Sequence, residues 1–525
     1  PQDQADTAAI AAELGYLPLA LDQAAAYISH ARITPGGYLA RLREHPARMY
    51  AAQAAGGDAQ RAIARIWDIS LQAITAQVPG AERLLQVLAC YAPDNFPREI
   101  AGGADPGPDL DGQLGLLASY SLITLTPDTV SMHRLVQAVT LIMPASPGAG
   151  DSESPADTAL DWLNQALPQD PDTNLAAWPL LRALSPHADA LAARYQQGAE
   201  PALLGRACGQ MGLFHNSQGD YQRALRLRQS ALRIIETALG PDHPDTAICL
   251  GNLARTYCEL GRPADALPLE QRALAITEAF LGPDHPETAI RLNNLAATHT
   301  ALGRPADALP LFERALHITE ATLGPDHPST AVRLNNLAFT YSDLGRLADA
   351  LPLEERALNI TETALGPSHP DTAVRLGNLA MTYSDLGRLA DALLLAERAL
   401  HITETTLGPD HPDTATCLGN LARTYSELGR PADALPLEQR ALAITEAALG
   451  PSHPSTALRL GNLAATYRDL GRPADAQPLE DRATRIRSAG KDQGPGQPAA
   501  PRARDVARTS PPAHSPRVSN KPGNQ

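Results

Sequence analysis

Between Asp242 and Leu281 the apolar residues follow two helical periods. Ala247, Leu250, Leu253, Ala254 and Tyr257 share one face of a first helix, which Gly261 stops. A second helix starts near Pro263 and carries Ala266, Leu269, Ala273 and Ile276. Gly240 and its equivalents close each second helix, so the unit is a helical hairpin. His243, His285, His327, His369, His411 and His453 repeat the pattern every 42 residues. A period within about 20–50 residues predicts a solenoid whose units bury their apolar faces on one another.

The joint between units reads Leu-Gly-Pro-Asp-His-Pro at Leu239 to Pro244. Gly240 is expected in the left-handed conformation that ends a helix, and Pro241 cannot continue it. Asp242, Asp284, Asp326, Ser368, Asp410 and Ser452 offer a short oxygen-bearing side chain and are the expected N-caps. Pro244 suits a first helical turn, and Asp245, Glu287 and Asp371 suggest a partial capping box. The repeated histidines read as structural, with a pH-sensitive ladder as the alternative. Neighbouring repeats hold them about 8–10 Å apart. Metal ligands must converge within about 2.1 Å of one ion, so no metal site is expected.

Composition narrows the fold class. The 525 residues are 44% hydrophobic but only 4% aromatic, so alanine and leucine supply the apolar surface. This favours closely packed helices over a β-sandwich. A net charge of −15 argues against broad phosphate-backbone contact, so nucleic acid is not the expected partner. Five scattered cysteines without C-x-x-C read as free thiols of a reducing cytoplasm. No apolar run approaches the roughly 20 residues that span a bilayer. The chain opens Pro-Gln-Asp and is expected to be a fragment.

The run Leu250 to Ile276 resembles a tetratricopeptide repeat through Leu253, Ala254, Tyr257, Gly261, Ala266 and Ala273. The 42-residue length and the connector resemble the kinesin-light-chain variety. Six copies cover Asp242 to about Arg487. A degenerate seventh precedes them, with Gly219, Ala224 and Ala231 in register. The resemblance implies a right-handed superhelix whose concave wall is built by the first helices. Asn252, Asn294, Asn336, Asn378, Asn420 and Asn462 form a column on the face away from the packing stripe. Helix interiors disfavour Asn, so a column needs a reason. Its amides could hold the backbone of an extended peptide, as the resemblance implies, or could tether a neighbouring helix. Beside them stand Arg255, Phe339, Met381 and Arg423, with acids at Glu259, Asp343, Asp385, Glu427 and Asp469. Apolar pockets at Phe339 and Met381 would suit hydrophobic anchors and basic residues. Arg291, Arg333, Arg375 and Arg459 are expected at flank or salt-bridge positions.

The first 200 residues do not repeat. Glu13 to Ile28 resembles the "GLPLAL" stretch in the small helical subdomain of NB-ARC-type signalling NTPases. Leu117 to Val139 reads as helix, strand, turn, strand, helix, a winged-helix pattern with its hairpin over Pro127-Asp128. Met132-His133-Arg134 resembles the Met-His-Asp motif of the same family, with Arg in place of Asp. In that family these motifs meet bound ADP, which would make Pro18 and His133 part of a nucleotide site. The alternatives are a helix-start proline and a histidine at a strand-to-helix junction. The wing carries no Lys/Arg cluster on its recognition helix, so it reads as a spacer rather than a DNA reader.

The expected domains are therefore 1–55, a helical subdomain; 56–148, winged-helix-like; 149–200, a helical linker; 201–488, seven repeats; and 489–525, a disordered tail. The fold is predominantly all-α. No phosphate-binding loop, G-x-S-x-G or H-E-x-x-H occurs, so the chain is not expected to be an enzyme and binds no cofactor alone. ADP or ATP is implied only for a longer parent, whose missing nucleotide module could also mediate oligomers. The expected role is a cytoplasmic scaffold for a protein or extended peptide, the regulatory half of a nucleotide-switched signalling protein. A nucleotide-independent adaptor and a winged-helix transcriptional regulator are the alternatives.

Overall fold

A computed structural model describes residues 2–14, 18–44, 70–78, 80–104, 109–141, 154–195 and 200–489. Of the tail expected over 489–525 only Ala489 is described, as the end of a helix, and the boundary expected near residue 55 lies outside the described residues. The chain divides into two compact units, Pro1–Phe214 and His215–Gln525.

The first unit begins with α1 (Gln2–Glu13), α2 (Pro18–Ala31) and α3 (Pro35–Glu44). It continues through α4 (Gly80–Leu88), α5 (Leu110–Ser119), α6 (Arg134–Thr140), α7 (Pro155–Ala166) and α8 (Trp178–Tyr195). Strands β1 (Phe96–Pro97), β2 (Thr124–Leu125) and β3 (Thr129–Ser131) form an antiparallel sheet of order β1-β3-β2. The expected hairpin is present, with Thr124 opposite Ser131 and Leu125 opposite Val130. Gln23 donates to the Ser121 carbonyl at 3.4 Å, and the Tyr27 and Tyr120 rings meet edge-on at 5.9 Å. The Tyr91 hydroxyl donates to the Ala159 carbonyl, and Arg194 donates to those of Ala89 and Cys90.

The repeats follow as alternating first and second helices. First helices are α9 (Ala202–Ser217), α11 (Pro244–Glu259), α13 (Pro286–Ala301), α15 (Pro328–Asp343), α17 (Pro370–Asp385), α19 (Pro412–Glu427) and α21 (Pro454–Asp469). Second helices are α10 (Tyr221–Leu239), α12 (Pro263–Leu281), α14 (Pro305–Leu323), α16 (Leu347–Leu365), α18 (Leu389–Thr406), α20 (Pro431–Leu449) and α22 (Pro473–Ala489). Where helices touch, the sequence places alanine. Ala247, Ala254, Ala266 and Ala273 are at most 1% exposed, and Leu250 and Ile276 fill the space beside them. A small side chain lets two backbones approach, while leucine and isoleucine supply most of the buried area, worth about 1.5–3 kcal/mol for each buried side chain.

The joints correct the sequence reading. The N-cap is the histidine and not the Asp or Ser before it. Nδ1 of His243, His285, His327, His369, His411 and His453 accepts the backbone N–H two residues on, at 3.1–3.2 Å. Pro244 and its equivalents occupy the first position, so Asp245, Glu287 and Asp371 stand too near the cap for a capping box. The next residue is a fully buried threonine whose hydroxyl donates back to the glycine carbonyl that ends the preceding helix. Thr246 to Gly240 is 2.8 Å, and the bond recurs at every joint. Gly240 has positive φ, as expected, but ψ is 158°, beyond the left-handed helical region. Only glycine tolerates that combination.

A second clamp joins the outer helices. Arg272 donates to Glu236 at 2.6 Å and to the Pro241 carbonyl at 2.9 Å. Arg356 and Arg440 repeat both contacts one and two double-repeats later. These pairs are part-exposed, so each adds at most about 1 kcal/mol, but they fix how one hairpin sits on the next.

His327→Ala removes a cap and should lower stability by about 1 kcal/mol. His327→Asn, which keeps an acceptor there, should lose less. Urea unfolding midpoints at unchanged slope measure both.

Candidate functional site

The first helices of successive repeats touch one another, while the second helices do so less. The array therefore curves with its first helices on the inside. Each first helix keeps one face open, set by a helical spacing. On α11 this face runs through Ile248, Asn252, Arg255 and Glu259. It lies opposite the buried stripe of Ala247, Leu250 and Ala254.

The Asn column belongs to this wall, but not all of it is offered to a ligand. Asn252, Asn294, Asn378, Asn420 and Asn462 are half-buried, whereas Asn336 is 2% exposed. Asn336 Nδ2 donates to Asn293 Oδ1 at 2.8 Å, and Asn378 Nδ2 to Asn335 Oδ1 at 2.7 Å. At these two positions the tether alternative holds. The reason lies one repeat back: Asn293 and Asn335 stand where the other repeats carry Gly251, Gly377, Gly419 and Gly461. A glycine offers the next amide no side-chain partner. The peptide reading thus rests on Asn252, Asn294, Asn420 and Asn462.

Of the flanking residues, Arg255, Phe339 and Arg423 are half-buried, and Arg423 lies 3.8 Å from Glu427. Met381 is only 3% exposed, so the pocket expected there is filled by the protein's own packing. A column overlooked in the sequence adjoins the amides, one turn before each. It comprises Ile248, Ile290, Val332, Val374, Thr416 and Leu458. Ile248 and Leu458 are 46% and 39% exposed, and the others are half-buried. The signal was an aliphatic residue off the packing stripe, four before each Asn in every repeat but one, where Thr416 stands and accepts a hydrogen bond from Arg459 at 2.9 Å.

Arg291, Arg333, Arg375 and Arg459 are not flank residues. They are 4–8% exposed and lie inside the wall. A Cβ on Gly251 would meet Arg291 Nη1 at 2.6 Å, so glycine there makes room for a guanidinium. Glu270, on α12, lies buried in the field of Arg291 and Arg255. Desolvation nevertheless dominates and pushes its carboxyl up to about 8. Glu438, near Arg459, is pushed up to about 7 for the same reason. Ala396 and Cys417 replace both partners of one such pair, whereas Phe312 stands in the carboxylate position before a retained, buried Arg333, which burial pushes down to about 10.

In the first unit, Pro18 is exposed at the start of α2, and exposed His133 caps α6 by accepting the Leu135 N–H at 3.2 Å. Among the described residues no group of three or more His, Cys, Asp or Glu could hold a metal ion. No described helix is long and apolar enough to cross a membrane.

Because the Glu270 carboxyl titrates higher in the folded than in the unfolded chain, the stability linked to its proton is full below about pH 4.5 and is lost as pH rises through about 8. Glu270→Gln removes that titration. Its unfolding midpoint should therefore gain on the parent's between about pH 5 and about pH 9. A constant difference across that range would show that Glu270 is not the titrating group.

Known proteins share this architecture. The family profile described as tetratricopeptide repeat matches residues 205–279, 271–321, 291–363, 334–405 and 439–489, and another of the same description matches 414–455. A nucleotide-binding leucine-rich repeat (NLR)-like protein of Hyaloscypha variabilis is 30% identical over 257 residues, 46% of this chain and 25% of that protein. The chain thus spans about a quarter of that relative's length. A crystal structure of a Podosopora anserina putative kinesin light chain with nearly identical TPR-like repeats is 29% identical, covering 39% of this chain and 97% of that one, with a TM-score of 0.35. A signal transduction ATPase with numerous domains (STAND) from Pyrococcus horikoshii, with a tetratricopeptide repeat sensor, is 12% identical. It covers 91% of this chain and 72% of that one, with a TM-score of 0.37. The repeat region of this chain belongs to the tetratricopeptide-repeat family.

Proposed function

We propose that the inner wall of the repeats receives an extended segment of another protein. Tetratricopeptide repeats make the chain a protein-interaction scaffold. The observation that carries the finer reading is the column of Ile248, Ile290, Val332, Val374 and Leu458, aliphatic in every repeat but that of Thr416 and part-exposed beside the Asn column. An extended chain rises about 3.3 Å per residue, so about three ligand residues pass each repeat. Its backbone would meet Asn252, Asn294, Asn420 and Asn462, and its aliphatic side chains would pack on Val332 and Val374. The acids Asp343 and Asp385, one turn beyond Phe339 and Met381, favour basic residues in the ligand. Peptides selected from a displayed random library by the purified protein should be extended, aliphatic and basic. The Val332→Glu/Val374→Glu variant should bind them at least about tenfold more weakly, a loss of about 1.4 kcal/mol. Unchanged affinity would place binding elsewhere.

We further infer that the chain is the sensing half of a nucleotide-switched signalling protein. Support comes from the description of the Hyaloscypha relative and from the Met132-His133-Arg134 motif beside the β2–β3 hairpin. Ligand capture would shift such a switch only through different affinity for its two states. A purified chain extended upstream should carry bound ADP, detectable after denaturation by chromatography. An extended chain free of nucleotide would favour a simple adaptor.

A further inference from the structure

One contact in the repeat unit joins residues far apart in sequence. His453 Nε2 lies 3.3 Å from the Ser217 carbonyl oxygen. Beside it, Gly219 packs so closely on α21 that a Cβ there would meet Pro454 Cδ at 2.7 Å and His453 Cδ2 at 2.8 Å. Because His453 Nδ1 accepts the Ser455 N–H, the ring proton sits on Nε2 and is donated to Ser217. The other five joint histidines cap their helices in the same way but remain half-buried or exposed, whereas His453 is buried.

The geometry of this contact is informative. Ser217 and Gly219 belong to the turn inside a hairpin, which lies on one edge of the repeat ribbon. His453 and Pro454 belong to a joint between hairpins, on the opposite edge. Opposite edges can meet only if the ribbon has completed a turn, here six repeats from α9 to α21, and successive turns abut. Helices in contact lie about 8–10 Å apart, so six first helices form a ring whose axes are only about 20 Å across. Helices about 10–12 Å thick fill much of that space. The remaining lumen suits an extended chain and is too narrow for a folded domain.

We propose that the 217–219 turn and the start of α21 form a latch that closes the repeats around their inner wall. With the latch shut, a ligand enters by threading an extended end; with it open, the wall is reachable from the side. This inference rests on the inner wall being the docking surface, as proposed above, but its test needs no ligand.

A thiol placed on the inner wall, Val332→Cys, and one on an exposed second-helix site, Leu394→Cys, report access. Two reagents are compared: N-ethylmaleimide, and the same maleimide coupled to a folded carrier protein. Native thiols give little background, since burial pushes Cys249 up to about 12 and Cys90 and Cys258 up to about 11. With the latch intact, N-ethylmaleimide should label both sites, whereas labelling by the carrier should be lost at Val332→Cys only. Adding His453→Asn, which keeps a capping acceptor but not the reach to Ser217, should restore it. Gly219→Asn should do the same, because Asn accepts positive φ while its Cβ wedges Pro454 away. His411→Asn, which alters a cap away from the latch, should restore nothing. Carrier labelling at Val332→Cys as ready as at Leu394→Cys with the latch intact would overturn the proposal. Exclusion that persists in both latch variants would overturn it equally. Peptide binding that fails while the latch behaves as described would reject only the docking surface.

Discussion

The joint between hairpins is the constraint on which the rest of the repeat unit depends. A helix that stops leaves carbonyls without partners, and a helix that starts leaves amides without partners. Here one short segment answers both needs. The histidine ring takes an amide of the new helix, and the threonine hydroxyl gives its proton to the Gly240-type carbonyl of the old one. With glycine held at positive φ between them, few degrees of freedom remain. Each joint therefore sets nearly the same angle, and repetition turns that angle into curvature.

Curvature converts identical hairpins into a surface. Alanine contacts let the first helices crowd together on the inside, while the Arg272-type clamps hold the second helices at a regular spacing outside. The wall that results is graded. Its middle repeats are stitched by amide pairs at Asn293–Asn336 and Asn335–Asn378, and its outer repeats leave the equivalent amides half-open beside glycine. The buried ionisable groups of Glu270, Arg291, Glu438 and Arg459 lie behind this wall, where desolvation holds both carboxyls well above the usual carboxylate range.

The first unit contributes a different kind of element. Its β2–β3 hairpin lies between two helices and is tied to the N-terminal helices through Gln23 and Tyr27. Pro18 and His133 there stand at helix starts.

Much of this was legible in the residues. The helical period, the glycine stops and the 42-residue interval determine the hairpins, because burial of apolar faces and the lack of a Cβ act locally and alike in every copy. The alternation of strand and turn residues over Pro127-Asp128 likewise determines a hairpin. Tertiary structure decided what depends on the next repeat. Asp and His are adjacent in the joint and either could cap; only the path of the chain brings Nδ1 to the amide. Arg291 reads as a surface residue until Gly251 and Glu270 close over it. An Asn column looks uniform in sequence, but a neighbour's Asn or Gly, 43 residues back, settles whether each amide is a tether or an open group. The meeting of Ser217 with His453 has no local signal at all, since it comes from small joint angles summed over six repeats.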